Sequence, residues 1–253
     1  MARKIVLCSL LILICHTLLL AQSDFEEIVT QAKQAFEQGQ YAEAAELYTV
    51  LVESGAHDFD VFFNQGLAYY NAGNLGYALV AFRRAQAINP RVQALNLNIA
   101  RVRVERVDFL PDDFGVLNSV GASTQTLFTT VELSWLTFIL WTAWFSYCLF
   151  LSLRRRWSQE ARIGVLASGA IVFALVFLLF SRMNLENNRP LAVVVLPSVE
   201  VMSGPAETYM PLYRLYSATE LRIVDRESGW VRFFLGDGRQ GWMPDSAILE
   251  TGT

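Results

Sequence analysis

The chain has 253 residues, 53% of them hydrophobic and 17% charged, with a mean hydropathy of +0.32 and a formal net charge of −4. That apolar excess excludes an ordinary soluble domain, and because it is gathered into three runs it points to membrane segments. The charge pattern excludes a nucleic-acid binder: residues 22–132 hold 7 Lys/Arg against 14 Asp/Glu, residues 183–253 hold 6 against 9, and only 154–162, with 4 against 1, is basic.

Residues 1–21 open with Arg3 and Lys4, continue with an apolar run from Ile5 to Leu20 and end at Ala21. This is the charged start, apolar middle and small-residue end of a secretory signal. Cleavage after Ala21 is expected, although Leu19 at the −3 position is not small, and retention as an uncleaved anchor is the alternative. Lipoprotein processing is disfavoured, because Leu7 precedes Cys8 and Ile14 precedes Cys15 where a small residue is needed.

Residues 25–58 and 59–92 align at an offset of 34. In the clearer copy, Phe62, Gly66, Tyr69, Ala78, Phe82, Ala85 and Pro90 alternate large and small and end in a helix terminator. Gly66 and Ala78 let two antiparallel helices approach, and Asn71-Ala72-Gly73-Asn74 supplies the turn. This pattern looks like a tetratricopeptide repeat. The first copy matches at Ile28, Ala32, Gly39, Ala44 and Tyr48 and departs at Ala35, Leu51 and Ala56. Residues 91–107 continue in register with a third copy as one capping helix, so the helical domain spans 22–107. Repeat geometry implies a concave groove for a peptide or a partner's helix, with Phe63, Asn64, Leu67, Tyr70, Asn98 and Arg101 facing it. Phe63 and Leu67 could instead only pack against the cap helix. Val29 and Lys33 stand where carboxylate-clamping members carry Lys and Asn, so capture of a terminal carboxylate is not supported.

A juxtamembrane linker follows over 108–132. Phe109, Leu110, Phe114, Val116 and Leu117 make it less polar than a free tether, and Asp112-Asp113 reads as a solvated turn. Leu133 to Leu153 is a run of 21 uncharged residues, about 31 Å as a helix, against a hydrocarbon core of about 30 Å. The second membrane helix is expected over 163–181, with small residues Gly164, Ala167 and Ser168 permitting close packing. A buried soluble hairpin is the alternative. The loop 154–162 carries Arg154, Arg155, Arg156 and Arg162, and short basic loops stay on the cytoplasmic side. Both ends of the hairpin are then external, as the signal segment independently requires. The implied location is the cytoplasmic membrane, with both terminal domains extracytoplasmic.

From Pro190 onward the chain reads as short β runs: LAVVVL, SVEVMS, ELRIVDR, WVRFFL and GWMP. Gly236-Asp237-Gly238 is a hairpin signal. The Ser-Gly-Pro at 203–205, Gly229-Trp230 and Asp237-Gly238-x-x-Gly241-Trp242, in that order, resemble a bacterial SH3-like domain over 190–250. Two positions depart from it: Met202 stands where Arg is usual and Ala218 where Gly precedes the central strands. The resemblance implies binding of peptides or muropeptides, or scaffolding alone, with Tyr213, Trp230 and Trp242 as the aromatic candidates. Trp242 could instead belong to the core.

Catalytic chemistry lacks its parts. The histidines are His16, in the signal segment, and His57, in an inter-repeat turn; the cysteines are Cys8, Cys15 and Cys148. No nucleophile pair, metal-ligand spacing or phosphate-cradling loop is formed. The reading is non-enzymatic, with no cofactor and no metal site.

The fold class expected is therefore multi-domain: an α-helical tetratricopeptide-like repeat, a two-helix transmembrane hairpin and a small all-β SH3-like barrel. This order, with AYYNAGNLGYAL at 68–79 and RPLAVVV at 189–195 leading into SVEVMSGP, resembles the BatE proteins of the bacterial aerotolerance operon. The resemblance implies the membrane and other envelope proteins as partners, including von Willebrand-type Bat proteins, in tolerance of oxygen or other stress. An adaptor holding partner proteins near the bilayer is the primary expectation. A wall anchor whose barrel recognises peptidoglycan is the alternative, and a regulatory subunit for an envelope protease or chaperone is a third.

Overall fold

The computed structural model describes residues 25–107, 129–154 and 158–252, and of residues 185–187 the backbone alone. The signal segment, most of the linker, Arg155 and Arg156 lie outside the described residues.

The N-terminal lobe is five helices: α1 (residues 25–37), α2 (Tyr41–Glu53), α3 (Phe59–Asn71), α4 (Leu75–Ile88) and α5 (Gln93–Glu105). Gly39 and Gly73, 34 residues apart, end α1 and α3 at φ +78° and +82°, a conformation open to glycine at little cost. Each turn is closed by the same pair of backbone bonds. Gly39 N–H donates to Phe36 O and Gln40 N–H to Ala35 O; Gly73 N–H donates to Tyr70 O and Asn74 N–H to Tyr69 O. The offset of 34 also holds in the core. Ala32 and Gly66, Ala44 and Ala78, and Tyr48 and Phe82 are all buried. Gly66 is where α3 meets α4 most closely: a Cβ there would lie 2.4 Å from the Phe82 ring. The first copy's departures compensate each other. Ala35 and Leu51 share one core cluster, and the larger Leu51 takes up volume that Ala35 leaves where the second copy has Ala85 and Tyr69.

Two long helices follow, α6 (Thr130–Leu153) and α7 (Gln159–Asn188). Both are long and apolar enough to cross a membrane, with mean hydropathies of 1.7 and 2.7 over their candidate spans. Thr129 caps α6, its hydroxyl accepting from the Glu132 amide while the Glu132 carboxylate accepts from the Thr129 amide. The helices pack together at Gly169, where a Cβ would lie 3.1 Å from the Trp144 ring, and Trp144 Nε1 donates to Val165 O at 3.1 Å. Helix α7 is longer than the expected 163–181. It begins inside the basic loop and absorbs residues 182–188, a stretch with no Gly or Pro to stop it before Pro190. Only Arg189 and Pro190 then separate α7 from the first strand.

The C-terminal lobe is a seven-stranded antiparallel sheet of β1 (Leu191–Val194), β2 (Ser198–Met202), β3 (Pro211–Tyr216), β4 (Glu220–Glu227), β5 (Trp230–Phe234), β6 (Gln240–Pro244) and β7 (Ile248–Glu250). Their order is β3-β2-β6-β5-β4-β1-β7. Inward residues of all seven strands, among them Val201, Leu215, Leu221, Phe233, Met243 and Ile248, form one core, so the sheet curls on itself.

The two lobes are not separate. Along β1, Ala192 and Val194 enter the core of the sheet, while Val193 and Val195 enter the core of the helices beside Phe62, Leu79 and Leu95. All four are buried, each fully buried valine contributing roughly 1.5–3 kcal/mol. Helix α4 meets this strand through Gly76, where a Cβ would lie 2.5 Å from Val194 O and 2.8 Å from the Val195 Cα. The Gly76 amide donates to Ser217 Oγ at 3.0 Å, and Arg84 Nη2 donates to Glu250 O at 3.2 Å.

Candidate functional site

At the junction lies Glu220, the first residue of β4 and only 5% exposed. Arg83 of α4 places Nε at 2.7 Å and Nη2 at 2.6 Å from its Oε1. Arg103 of α5 places Nε at 3.0 Å and Nη2 at 2.6 Å from its Oε2. The Arg106 guanidinium lies 4.0 Å from the same oxygen. Each oxygen of the carboxylate is thus taken by a different arginine through charge-assisted contacts. Burial by itself would raise the Glu220 carboxyl; Arg83 and Arg103 outweigh it and hold the group down at about 2. The node is extended by side-chain bonds from Arg83 to Gln86 and from Gln86 to Asn96. Sequence reasoning missed Glu220, because a single glutamate among nine acidic residues of that lobe carries no local signal of burial.

The six groove candidates fall into three groups. Phe63 stacks on Phe59 at 5.6 Å and against Phe82 at 6.0 Å, and with Leu67 it is half-buried at the rim of the helical core. Asn64 lines a shallow cavity of about 110 Å³ with Lys33, Phe36, Glu37 and Tyr48. Tyr70 donates from its hydroxyl to Glu105 across the α3–α5 gap, with Arg101 close by; the hydrogen bond to Glu105 raises the phenol above its ordinary range. Asn98 is half-buried on α5 and Arg101 exposed. The structure therefore brings Arg101 near Tyr70, which is bonded to Glu105, and sets Asn64 apart from them beside α1. Lys33, Phe36 and Glu105 complete these sites; the sequence flagged Lys33 only for a different role.

In the sheet lobe, Trp230, Arg232 and Trp242 alternate with the buried Val231, Phe233 and Met243 and so lie on the outer face. The register sets Trp230 opposite Pro244 and Trp242 opposite Arg232, so the two indoles are diagonal neighbours. The Arg232 guanidinium lies 5.9 Å from the Trp242 ring centroid. Tyr213 sits apart on the edge strand β3, half-buried, with its hydroxyl donating to Gln240 O at 3.1 Å and Arg239 over its ring at 4.8 Å. Burial pushes the Tyr213 phenol up to about 12, against the pull of Arg239. Beside it, Tyr209, Met210 and Leu212 are exposed. Tyr213 and the Trp pair are thus two neighbouring features of one lobe.

Of the four topology arginines, Arg154 closes α6 with its guanidinium 5.2 Å from the Phe150 ring centroid, and Arg162 lies in the first turn of α7. Among the described residues, no group of three or more His, Cys, Asp or Glu side chains is placed to hold a metal ion. Comparison with known families finds no family model that matches the chain, and no curated protein matches it.

Proposed function

We propose that the chain is a non-enzymatic adaptor of the bacterial envelope, anchored by the α6–α7 hairpin, that presents a tetratricopeptide-like helical face and an SH3-like barrel to partner proteins outside the membrane. The partners fitting this reading are other envelope proteins, von Willebrand-type Bat proteins among them, in a complex serving oxygen or stress tolerance. The observation that carries it is the fusion of the two lobes into one body. Val193 of β1 and Val195 just after it lie in the helical core, and Glu220 is gripped from α4 and α5. Partners held on the helical face and on the Trp230–Trp242 face would then be held at a set distance from each other. They would also be held at a set distance from the bilayer, since two residues join α7 to β1 and Arg91 pairs with Glu132 of α6 at 2.8 Å.

The test is affinity recovery of the full chain from detergent-solubilised membranes, in wild-type form and as Tyr70→Ala and Trp242→Ala. Loss of a defined membrane-protein partner from one variant and not the other supports the adaptor. Recovery of peptidoglycan fragments without protein, abolished by Trp242→Ala, would replace it with the wall anchor. Phosphatase fusions after residues 125 and 253 should be active and one after 158 inactive; the reverse pattern overturns the external placement.

A further inference from the structure

The two helical copies share a backbone but not a chemistry. In the first, Lys33, Phe36 and Glu37 of α1, Tyr48 of α2 and Asn64 of α3 line the cavity of about 110 Å³. The positions 34 residues further on are Leu67, Tyr70, Asn71, Phe82 and Asn98. There Leu67 and Phe82 belong to the helical core, the Tyr70 hydroxyl is bonded to Glu105, and Asn71 Nδ2 donates to Leu67 O at 2.7 Å. The first copy leaves its polar groups unspent. Among the described residues, the side chains of Lys33, Glu37, Tyr48 and Asn64 have no hydrogen-bond or ion-pair partner.

Tyr48 differs from its counterpart Phe82 by one oxygen. Both rings are core, 2% and 0% exposed. The Tyr48 phenol is raised by burial alone, with no hydrogen bond acting on it. Its hydroxyl is nevertheless not sealed off, so with the rest of the residue covered it is the part left accessible at the cavity. The ring by itself satisfies the packing, as Phe82 shows. A hydroxyl drawn into the protein without a partner costs stability that phenylalanine avoids. The oxygen thus serves the cavity and not the core.

Size and charge narrow the ligand. A cavity of about 150 Å³ takes the six carbons of benzene, so one of about 110 Å³ takes roughly four or five non-hydrogen atoms. Lys33 and Glu37 stand one turn apart on α1 and cancel in charge, so a carboxylate there meets Glu37 and a cation meets Lys33. Lys33 donates, Glu37 accepts, and Tyr48 and Asn64 do both, so an aliphatic group would leave all four without a partner. A carboxamide is neutral, donates and accepts, and a glutamine side chain has the right size. We infer that this cavity receives a carboxamide side chain from a partner protein, its methylenes against Phe36 and its amide shared among Lys33, Glu37, Tyr48 and Asn64.

The inference rests on the helical face being a partner surface, which affinity recovery tests separately. The test here is a ligand-observed NMR titration of the full chain in detergent with N-acetylglutamine amide, against the same capped forms of glutamate, lysine and methionine. A molecule of this size is expected to reach a Kd of about 1 mM, at least about fivefold tighter than the other three. Tyr48→Phe should weaken the glutamine probe about three- to tenfold, the loss of one hydrogen bond, without lowering the melting temperature. Glu37→Gln should admit the capped glutamate as well as the glutamine. No saturable binding, equal binding of all four probes, or no effect of Tyr48→Phe would each overturn the carboxamide site. Tighter binding of the capped glutamate by the wild type would overturn it in favour of a carboxylate site. Loss of partners with Tyr70→Ala despite any of these results would leave the adaptor standing without this site.

Discussion

Replacing Glu220 by Gln should be the most costly single change in the lobe junction. The carboxylate accepts three hydrogen bonds, one from Arg83 and two from Arg103, at 2.6 to 3.0 Å, and Arg83 Nη2 makes a further ion-pair contact at 2.6 Å. Gln keeps the shape but offers one acceptor oxygen, turns an NH₂ donor toward one guanidinium and removes the negative charge that Glu220 sets beside Arg83, Arg103 and Arg106. Breaking a buried pair from one side costs about 3–5 kcal/mol. The same pairing sets the pH dependence. The folded carboxyl is held at about 2 against an ordinary 4.5, which is worth about 3 kcal/mol of stability. Because the folded value is the lower one, that stability is complete above pH 4.5 and is lost as pH falls toward 2. Urea unfolding of the full chain in detergent, wild type against Glu220→Gln, should therefore show a gap of about 3–5 kcal/mol at pH 7 that narrows to about 1–3 kcal/mol at pH 3. A gap below about 0.5 kcal/mol at pH 7, or one that widens with acid, would refute the reasoning.

Two further substitutions probe the same junction. Gly76→Ala sets a methyl group 2.5 Å from Val194 O and 2.8 Å from Val195 Cα, neither of which can rotate away. It should cost about 1–3 kcal/mol and raise amide hydrogen exchange at residues 191–195 and 217–219 while sparing α1 and α2. Ala218 stands at φ 65° with its methyl fully buried in the helical core. Ala218→Gly relieves about 1–2 kcal/mol of left-handed strain and loses about 0.8 kcal/mol of burial, so melting should move little, whereas Ala218→Val should destabilise clearly.

Ala218 also shows how a departure from a sequence resemblance can be informative. The SH3-like resemblance of the sequence implies glycine at 218, and the chain alone gives no reason for the alanine. The structure keeps the glycine-like backbone and uses the added methyl as part of the contact with α4 and α5. Similarly, the first helical copy looks degenerate at Ala35 and Leu51 until the two are seen to share one cluster. The groove candidates were only partly readable. Their positions on α3 and α5 follow from the period of 34, but Phe63 and Leu67 turn toward the rim of the core, and Asn64 faces α1 rather than Tyr70.

Local order was written in the chain because it rests on local rules. The offset of 34, the glycines at 39 and 73, the two apolar runs and the short alternating strands each encode an element through period, turn or length. Even the double burial of β1 left a trace, since LAVVV is apolar on both faces where the other strands alternate. What covers its second face left none. That Val193 and Val195 meet α4, that Gly76 admits them and that Glu220 lies between Arg83 and Arg103 are contacts between residues 117 to 141 positions apart. Such contacts depend on how surfaces fit after the elements form, so the union of two expected domains into one body was decided by tertiary packing.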